Sequence, residues 1–267
     1  MSVRLLLNTY TMVMNASPTV KYFSQHHKRC RKYLLAYNLT HTNDYLHHNR
    51  VAIKKIKAVL GMLSAINEDF DFNKAYKPYK NIFKHLAPIR EYMLQTERLK
   101  NHTGKKNIAG KQPPNAALLN KELKKATSEY LKEMEEGKPF ILKEIGQLDP
   151  KAIYPYCHKL IKQTKRKCKH HGKVSHLHEN RKQLKQVLYC IKLLNTKERS
   201  KLLSAKTIAV INKLQDDIGQ WHDNLELMER IKKENINTGK EFNRSLENET
   251  DDLLKRIHKN NQEWVSG

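Results

Sequence analysis

Residues 47–57 read HHNRVAIKKIK: two histidines, one arginine and three lysines, with no acidic residue among them. A helix turns roughly 100° per residue, so with His47 at zero, Arg50 lies near ~300°, Lys54 near ~340° and Lys57 near ~280°. All four project within roughly 80° of one another. Leu46, Ile53, Ile56, Leu60 and Leu63 fall on a separate arc that faces a core. Arg50 and Lys54, four residues apart, repel each other on an isolated helix. A stripe of this kind calls for an anion. Phosphate suits the side chains: guanidinium forks bind its oxygens in pairs, ammonium is a point charge, and imidazole donates a hydrogen bond and charges as pH falls.

The pattern occurs twice. Shifted by 131 residues, LHHNRVAIKKIKAVLGML (46–63) falls on LHENRKQLKQVLYCIKLL (177–194), pairing His47 with His178, Asn49 with Asn180, Arg50 with Arg181 and Lys54 with Lys185. Shifted by 132, LAPIRE (86–91) falls on IGQWHD (218–223). Two matches at nearly one offset argue for a duplicated unit. Charge follows the repeat. Residues 18–60 hold nine Lys/Arg and one acid, and residues 157–201 hold fourteen and two, whereas 202–267 hold ten bases and twelve acids. The positive excess therefore sits on the first two helices of each half. The competing account is that acids from the other helices neutralise the stripes internally.

Positioning these residues requires helices. Glycine and proline are sparse, and few stretches alternate apolar with polar residues for long, so the fold class is all-α. Expected helices run from 18 to 38 (Ser17 as N-cap, Pro18 in the first turn), from 43 to 67 after Thr42 or Asn43, from 73 to 100, and from 116 to 136, ending at Gly137. A restart after LDP (148–150) gives 151–171, 174–195, 198–233 and 239–262. The chain thus divides into a flexible N-terminus (1–16), a first four-helix half (17–137) and a second (150–262). Residues 101–115 read as a loop.

The motifs resemble those of the CHAD family, the conserved-histidine α-helical domain. H-x-x-R-V-x-x-[RK]-[RK]-x-[RK] is matched by His47, Arg50, Val51, Lys54, Lys55 and Lys57. H-x-x-R-x-x-x-K-x-x-x-Y is matched by His178, Arg181, Lys185 and Tyr189. IGQWHD is similar to the family's L-G-x-x-[RH]-D, through His222 and Asp223. The resemblance implies two four-helix bundles related by a pseudo-two-fold axis around a basic groove or pore. It also implies inorganic polyphosphate as ligand and association with polyphosphate granules and their proteins; the cytoplasmic setting expected beside it is read from the cysteine usage. The candidate phosphate ligands are His47, Arg50, Lys54, Lys55, Lys57, Lys28, Arg31 and Arg90 in the first half. In the second half they are Lys162, His178, Arg181, Lys182, Lys185 and His222. Departures from the pattern include Leu188 in the second stripe, and Ala87 and Glu91 in LAPIRE.

A net charge of +24 points to a polyanionic partner. Nucleic acid is the runner-up, since a phosphodiester backbone would be attracted to the same cations. Residues 46–63 carry no aromatic ring, however, and single-strand binders interleave bases with rings. Nucleotide-binding, zincin and hydrolase motifs are absent from the sequence, so the expectation is a binding protein rather than an enzyme, with no cofactor. His170, His171, His176 and His178 could gather a metal, and Asp216, Asp217 and Asp223 could hold magnesium. The histidines are read as basic surface, Asp216 and Asp217 as exposed acids, and Asp223 as a partner of His222 or a cap on a neighbouring helix, so no metal is expected. Four cysteines without C-x-x-C spacing suit a reduced compartment. No run of 18 apolar residues exists, so no membrane span is expected.

Overall fold

The computed structural model describes residues 17–103, 116–170 and 174–266. The N-terminal stretch 1–16, expected to be flexible, lies outside the described residues, as do residues 104–115 of the expected loop. Nine α-helices make up most of what is described: α1 (Pro18–Thr40), α2 (Asn43–Ile66), α3 (Phe72–Thr103), α4 (Ala116–Gln147), α5 (Ile153–His170), α6 (Leu177–Cys190), α7 (Thr196–Leu202), α8 (Ala205–Lys233) and α9 (Lys240–Ser266).

Local sequence explains most boundaries. Ser17 caps α1 as expected, its hydroxyl accepting from the Val20 N–H at 3.3 Å, with Pro18 in the first turn. Two expectations need correction. Helix α4 does not stop at Gly137 but continues through Pro139 to Gln147. Apolar packing outweighs both helix breakers, since Ile141 and Ile145 are buried and Phe140 stacks on Phe70 at 5.8 Å between centroids. The expected helix 198–233 is two helices. Leu203 is extended (φ −142°, ψ 127°) and buried, and the Ser204 side chain caps the next helix by accepting from the Thr207 N–H.

The helices group into two compact units, one of Met1–Ala87 with Leu118–Tyr156, the other of Pro88–Ala117 with Cys157–Gly267. Helix α3 contributes to both. Its later part groups with the second unit for a visible reason. Leu99 shares a buried cluster with Leu227, Ile231 and Leu246, and Gln95 accepts a hydrogen bond from Arg230 at 3.2 Å.

In the first unit α1 packs on α2, with Phe23, Leu34 and Tyr37 buried on one and Leu46, Ile53, Ile56 and Leu60 on the other. Asn49, fully buried, ties the pair together by donating to the Cys30 carbonyl at 2.7 Å. In the second unit α8 packs against both α6 and α9.

Burial recurs along the chain. Leu46, Asn49, Ile53, Ile56, Val59, Leu60, Met62 and Leu63 are buried, and so is the residue 131 positions after each. Tyr79, Ile82, Leu86 and Ile89 are matched at an offset of 132 by Ile211, Leu214, Ile218 and Trp221. Thr19, Phe23, His26, His27, Cys30 and Leu34 are matched at 134 by Ile153, Cys157, Leu160, Ile161, Thr164 and Cys168.

Candidate phosphate-binding site

Helix α2 holds its apolar arc in the core of the first unit and turns its cations outward. His47 and Lys57 are exposed, while Arg50, Lys54 and Lys55 are half-buried. The bed under these cations comes from α3. The Arg50 guanidinium lies 3.8 Å from the centroid of the Phe83 ring and donates through Nη1 to the Phe83 carbonyl at 2.8 Å. Lys54 Nζ stands 5.7 Å from the same ring and Lys57 Nζ 5.6 Å from the ring of Tyr76. A cation over an aromatic face gains about 0.5–2 kcal/mol. Burial raises the Tyr76 hydroxyl to about 12, with the positive charge of Arg50 opposing the rise.

Reasoning from 46–63 alone missed Phe83 and Tyr76, and the expectation of a stripe without aromatic support is corrected here. Their spacing of seven residues, two helical turns, was the available signal. A second ring group joins α1 to the start of the stripe. Tyr33 lies 5.2 Å from His48 and 6.2 Å from Tyr45, and His48 lies 5.6 Å from His47.

Lys28 and Arg31 are exposed on α1. The charge of Arg31 is felt at Glu135 of α4. Burial works against ionisation of that carboxyl, but the His27 hydrogen bond and the charges of His27, Lys138 and Arg31 together hold it below the ordinary carboxylate range. His27, buried, bridges Tyr79 Oη at 2.8 Å and Glu135 Oε1 at 3.1 Å, and burial keeps it below the usual imidazole range. Arg90 is half-buried and sits on the stretch of α3 that groups with the second unit.

In the second unit α6 repeats the arrangement over α8. Leu177, Leu184 and Val187 are buried, with Ile191 and Leu194 just beyond the helix, while Arg181 and Lys185 are half-buried and His178 and Lys182 exposed. Arg181 Nε donates to the Gln215 carbonyl at 3.0 Å. Burial, followed by the charge of Arg181, lowers Lys185 to about 8, with Asp216 and Asp223 opposing. His178 is also depressed, by burial and then by Lys182 and His222, whose ring is 4.8 Å away. Lys182 pairs with Glu179 at 2.6 Å. The acid that pairs with Lys182 thus comes from α6 itself, and the acids of another helix that act on this stripe are Asp216 and Asp223 at Lys185. Lys162 is exposed on α5.

The acids of α8 divide by role. Asp217 is not an exposed acid: it is buried, accepting from Asn260 at 2.9 Å and from Arg256 at 3.4 Å, which ties α8 to α9. His222 Nδ1 lies 3.3 Å from Glu226 Oε1, and ligand-capable atoms of His222, Asp223 and Glu226 lie within 4.8 Å of one another. The sequence had paired His222 with Asp223 and overlooked Glu226. Of the expected histidine group, His171 lies outside the described residues.

A family model, CHAD domain, matches residues 22–232. The chain belongs to the CHAD family. The match takes in both cationic helices, α2 and α6, together with α3 and α8 beneath them. The crystal structure of the CHAD domain from the plant Ricinus communis is similar to this CHAD chain, with a TM-score of 0.60 at 14% identity, covering 92% of this chain and 90% of that one. At that identity the likeness supports the fold alone. No curated protein matches the chain. Among the described residues, no helix is long and apolar enough to cross a membrane.

Proposed function

We propose that this CHAD protein binds inorganic polyphosphate through the stripes on α2 and α6, one in each unit. The observation that carries the reading is the matched seating of two arginines. Arg50 and Arg181 each reach from a cationic helix to a backbone carbonyl of the helix beneath, at Phe83 and at Gln215, the acceptors being 132 residues apart. Each has a lysine four residues on. Recurrence of that contact, with the recurring burial pattern, supports an internally duplicated protein in which each stripe offers a guanidinium and an ammonium to a polyanion. A linear polyphosphate offers phosphate oxygens without bases between them, which suits stripes built to hold charge rather than to read an edge.

The reading assigns the stripe residues to binding and none to catalysis. Membership of the CHAD family supports polyphosphate as the ligand. On this reading the protein belongs at cytoplasmic polyphosphate granules, beside granule-associated proteins. The rings at Phe83 and Tyr76 do not favour nucleic acid, because the cations of α2 already lie against them. Competition between polyphosphate and RNA of matched charge tests this directly. Polyphosphate is expected to displace RNA at equal phosphate concentration, and log K for polyphosphate to fall linearly with log salt. A preference for RNA, or a flat salt response, would overturn the reading.

A further inference from the structure

Glycine inside a helix is disfavoured relative to alanine, yet Gly219 sits midway along α8, buried. A Cβ placed there would collide with Nη2 of Arg181 and lie 2.8 Å from its Cζ and 3.0 Å from its Nε. The guanidinium therefore rests on bare backbone. Helix geometry explains why that backbone matters. A Cα–Cβ bond tilts toward the helix N-terminus, so a side chain at position 219 would lean over the carbonyl of residue 215 one turn earlier. That carbonyl is the acceptor of Arg181 Nε.

At the position matched to Gly219 by the 132-residue offset, the first half carries Ala87. There Arg50 approaches its carbonyl through Nη1 and lays its guanidinium on the Phe83 ring instead. One stripe has an aromatic seat, the other a glycine seat.

We propose that Gly219 is a positioning residue for phosphate binding. Leaving the Gln215 carbonyl open fixes Arg181 by its Nε and turns the Nη edge to a phosphate of the chain. The inference rests on the polyphosphate reading for its ligand, though the seat itself is a property of the free protein.

The test is a cycle of wild type, Gly219→Ala, Arg181→Ala and the double variant. Each is titrated with polyphosphate of defined length and melted without ligand. Gly219→Ala is expected to weaken binding about as much as Arg181→Ala, on the order of tenfold for one lost charge-assisted contact, and to have no further effect once Arg181 is gone. Melting should show a change of sign. Alanine at 219 lowers the midpoint when Arg181 is present and raises it, by about 2 °C, when Arg181 is absent, because alanine is the better helix former. A single variant that fails to fold while the double variant folds also supports the seat. Wild-type affinity in Gly219→Ala, the same sign of melting shift in both backgrounds, or failure of both variants to fold would overturn it. Should wild type not bind polyphosphate at all, the functional reading fails and the ligand-free melting cycle still decides the seat.

Discussion

The cationic stripes on α2 and α6 carry the same residue types at the same spacing and stand on different ground. Beneath α2, the stretch of α3 from residue 72 to 90 contains no acidic residue and supplies two rings, so its arginine and lysines lie against aromatic faces. Beneath α6, the matching stretch of α8 (204–222) supplies Asp216 and the buried Asp217, together with a glycine, while Asp223 just beyond it is matched by Glu91. Asp216 and Asp223 act on Lys185 against its burial, and Lys185 still ends near 8. The comparison teaches that matching motif residues is not matching charge. On the proposed reading the first stripe is expected to be the stronger anion site at neutral pH, and the second to lose affinity at alkaline pH through Lys185.

Changing the ground under each stripe is the largest way to break the comparison. Phe83→Leu keeps apolar bulk but removes the ring under Arg50 and Lys54. Affinity for polyphosphate should fall by about 0.5–2 kcal/mol, the value of a cation–aromatic contact. Gln215→Leu in the second bed leaves the acceptor carbonyl in place, and affinity should hardly move. Isothermal titration of both variants decides this, and equal losses would abolish the distinction between the two beds.

A smaller effect sharpens it through pH. Lys185 in the folded chain releases its proton near 8, against 10.5 for an ordinary lysine. In a protein reduced to the second stripe by Arg50→Ala and Lys54→Ala, binding should weaken above about pH 8 and take up a proton there. Proton uptake is read from the buffer dependence of the binding heat. The stability sign is opposite in sense. Between pH 8 and 10.5 the unfolded chain holds the extra proton, so this group adds stability as pH rises through that window. Lys185→Met should flatten that rise in urea melts at successive pH values.

The smallest effect expected is at His178. Burial and the charges of Lys182, His222 and Arg181 keep it below 6.5, with Glu179 alone opposing, so at pH 7 it offers a hydrogen bond rather than a charge. His178→Ala should therefore change affinity little at pH 7.5 and progressively more as the pH is lowered through the acid range. A pH-independent loss in fluorescence titrations would assign His178 a different role.

The stripes themselves were legible because helix period and apolar arc can be read from residue types, and all ten of the expected core positions in 46–63 and 177–194 are buried. The recurring burial of a third pair of helices was not. Helices α1 and α5 share a burial pattern, but Phe23 corresponds to Cys157 and Cys30 to Thr164, so chemistry hid the common geometry. The C-terminal end of α4 was decided by packing of Ile141 and Ile145, which the local glycine signal does not report, whereas the break at Leu203 had a local signal in Ser204, the N-cap of the next helix. The aromatic bed escaped notice because it belongs to another helix. A face is complete only when its neighbour is known.

One comparison tests the central claim that the stripes are sites rather than a diffuse charge. Arg50→Ala with Lys54→Ala, Arg181→Ala with Lys185→Ala, and Lys232→Ala with Lys233→Ala each remove two basic residues. The last pair comes from the end of α8, where bases and acids alternate. Polyphosphate of defined length is titrated into all three at one ionic strength, with folding checked by circular dichroism. The account predicts the greatest loss from the first pair, on the order of tenfold per removed phosphate contact. It predicts a lesser loss from the second pair and almost none from the third. Equal losses from all three folded proteins would mean that net charge does the binding, and would contradict it.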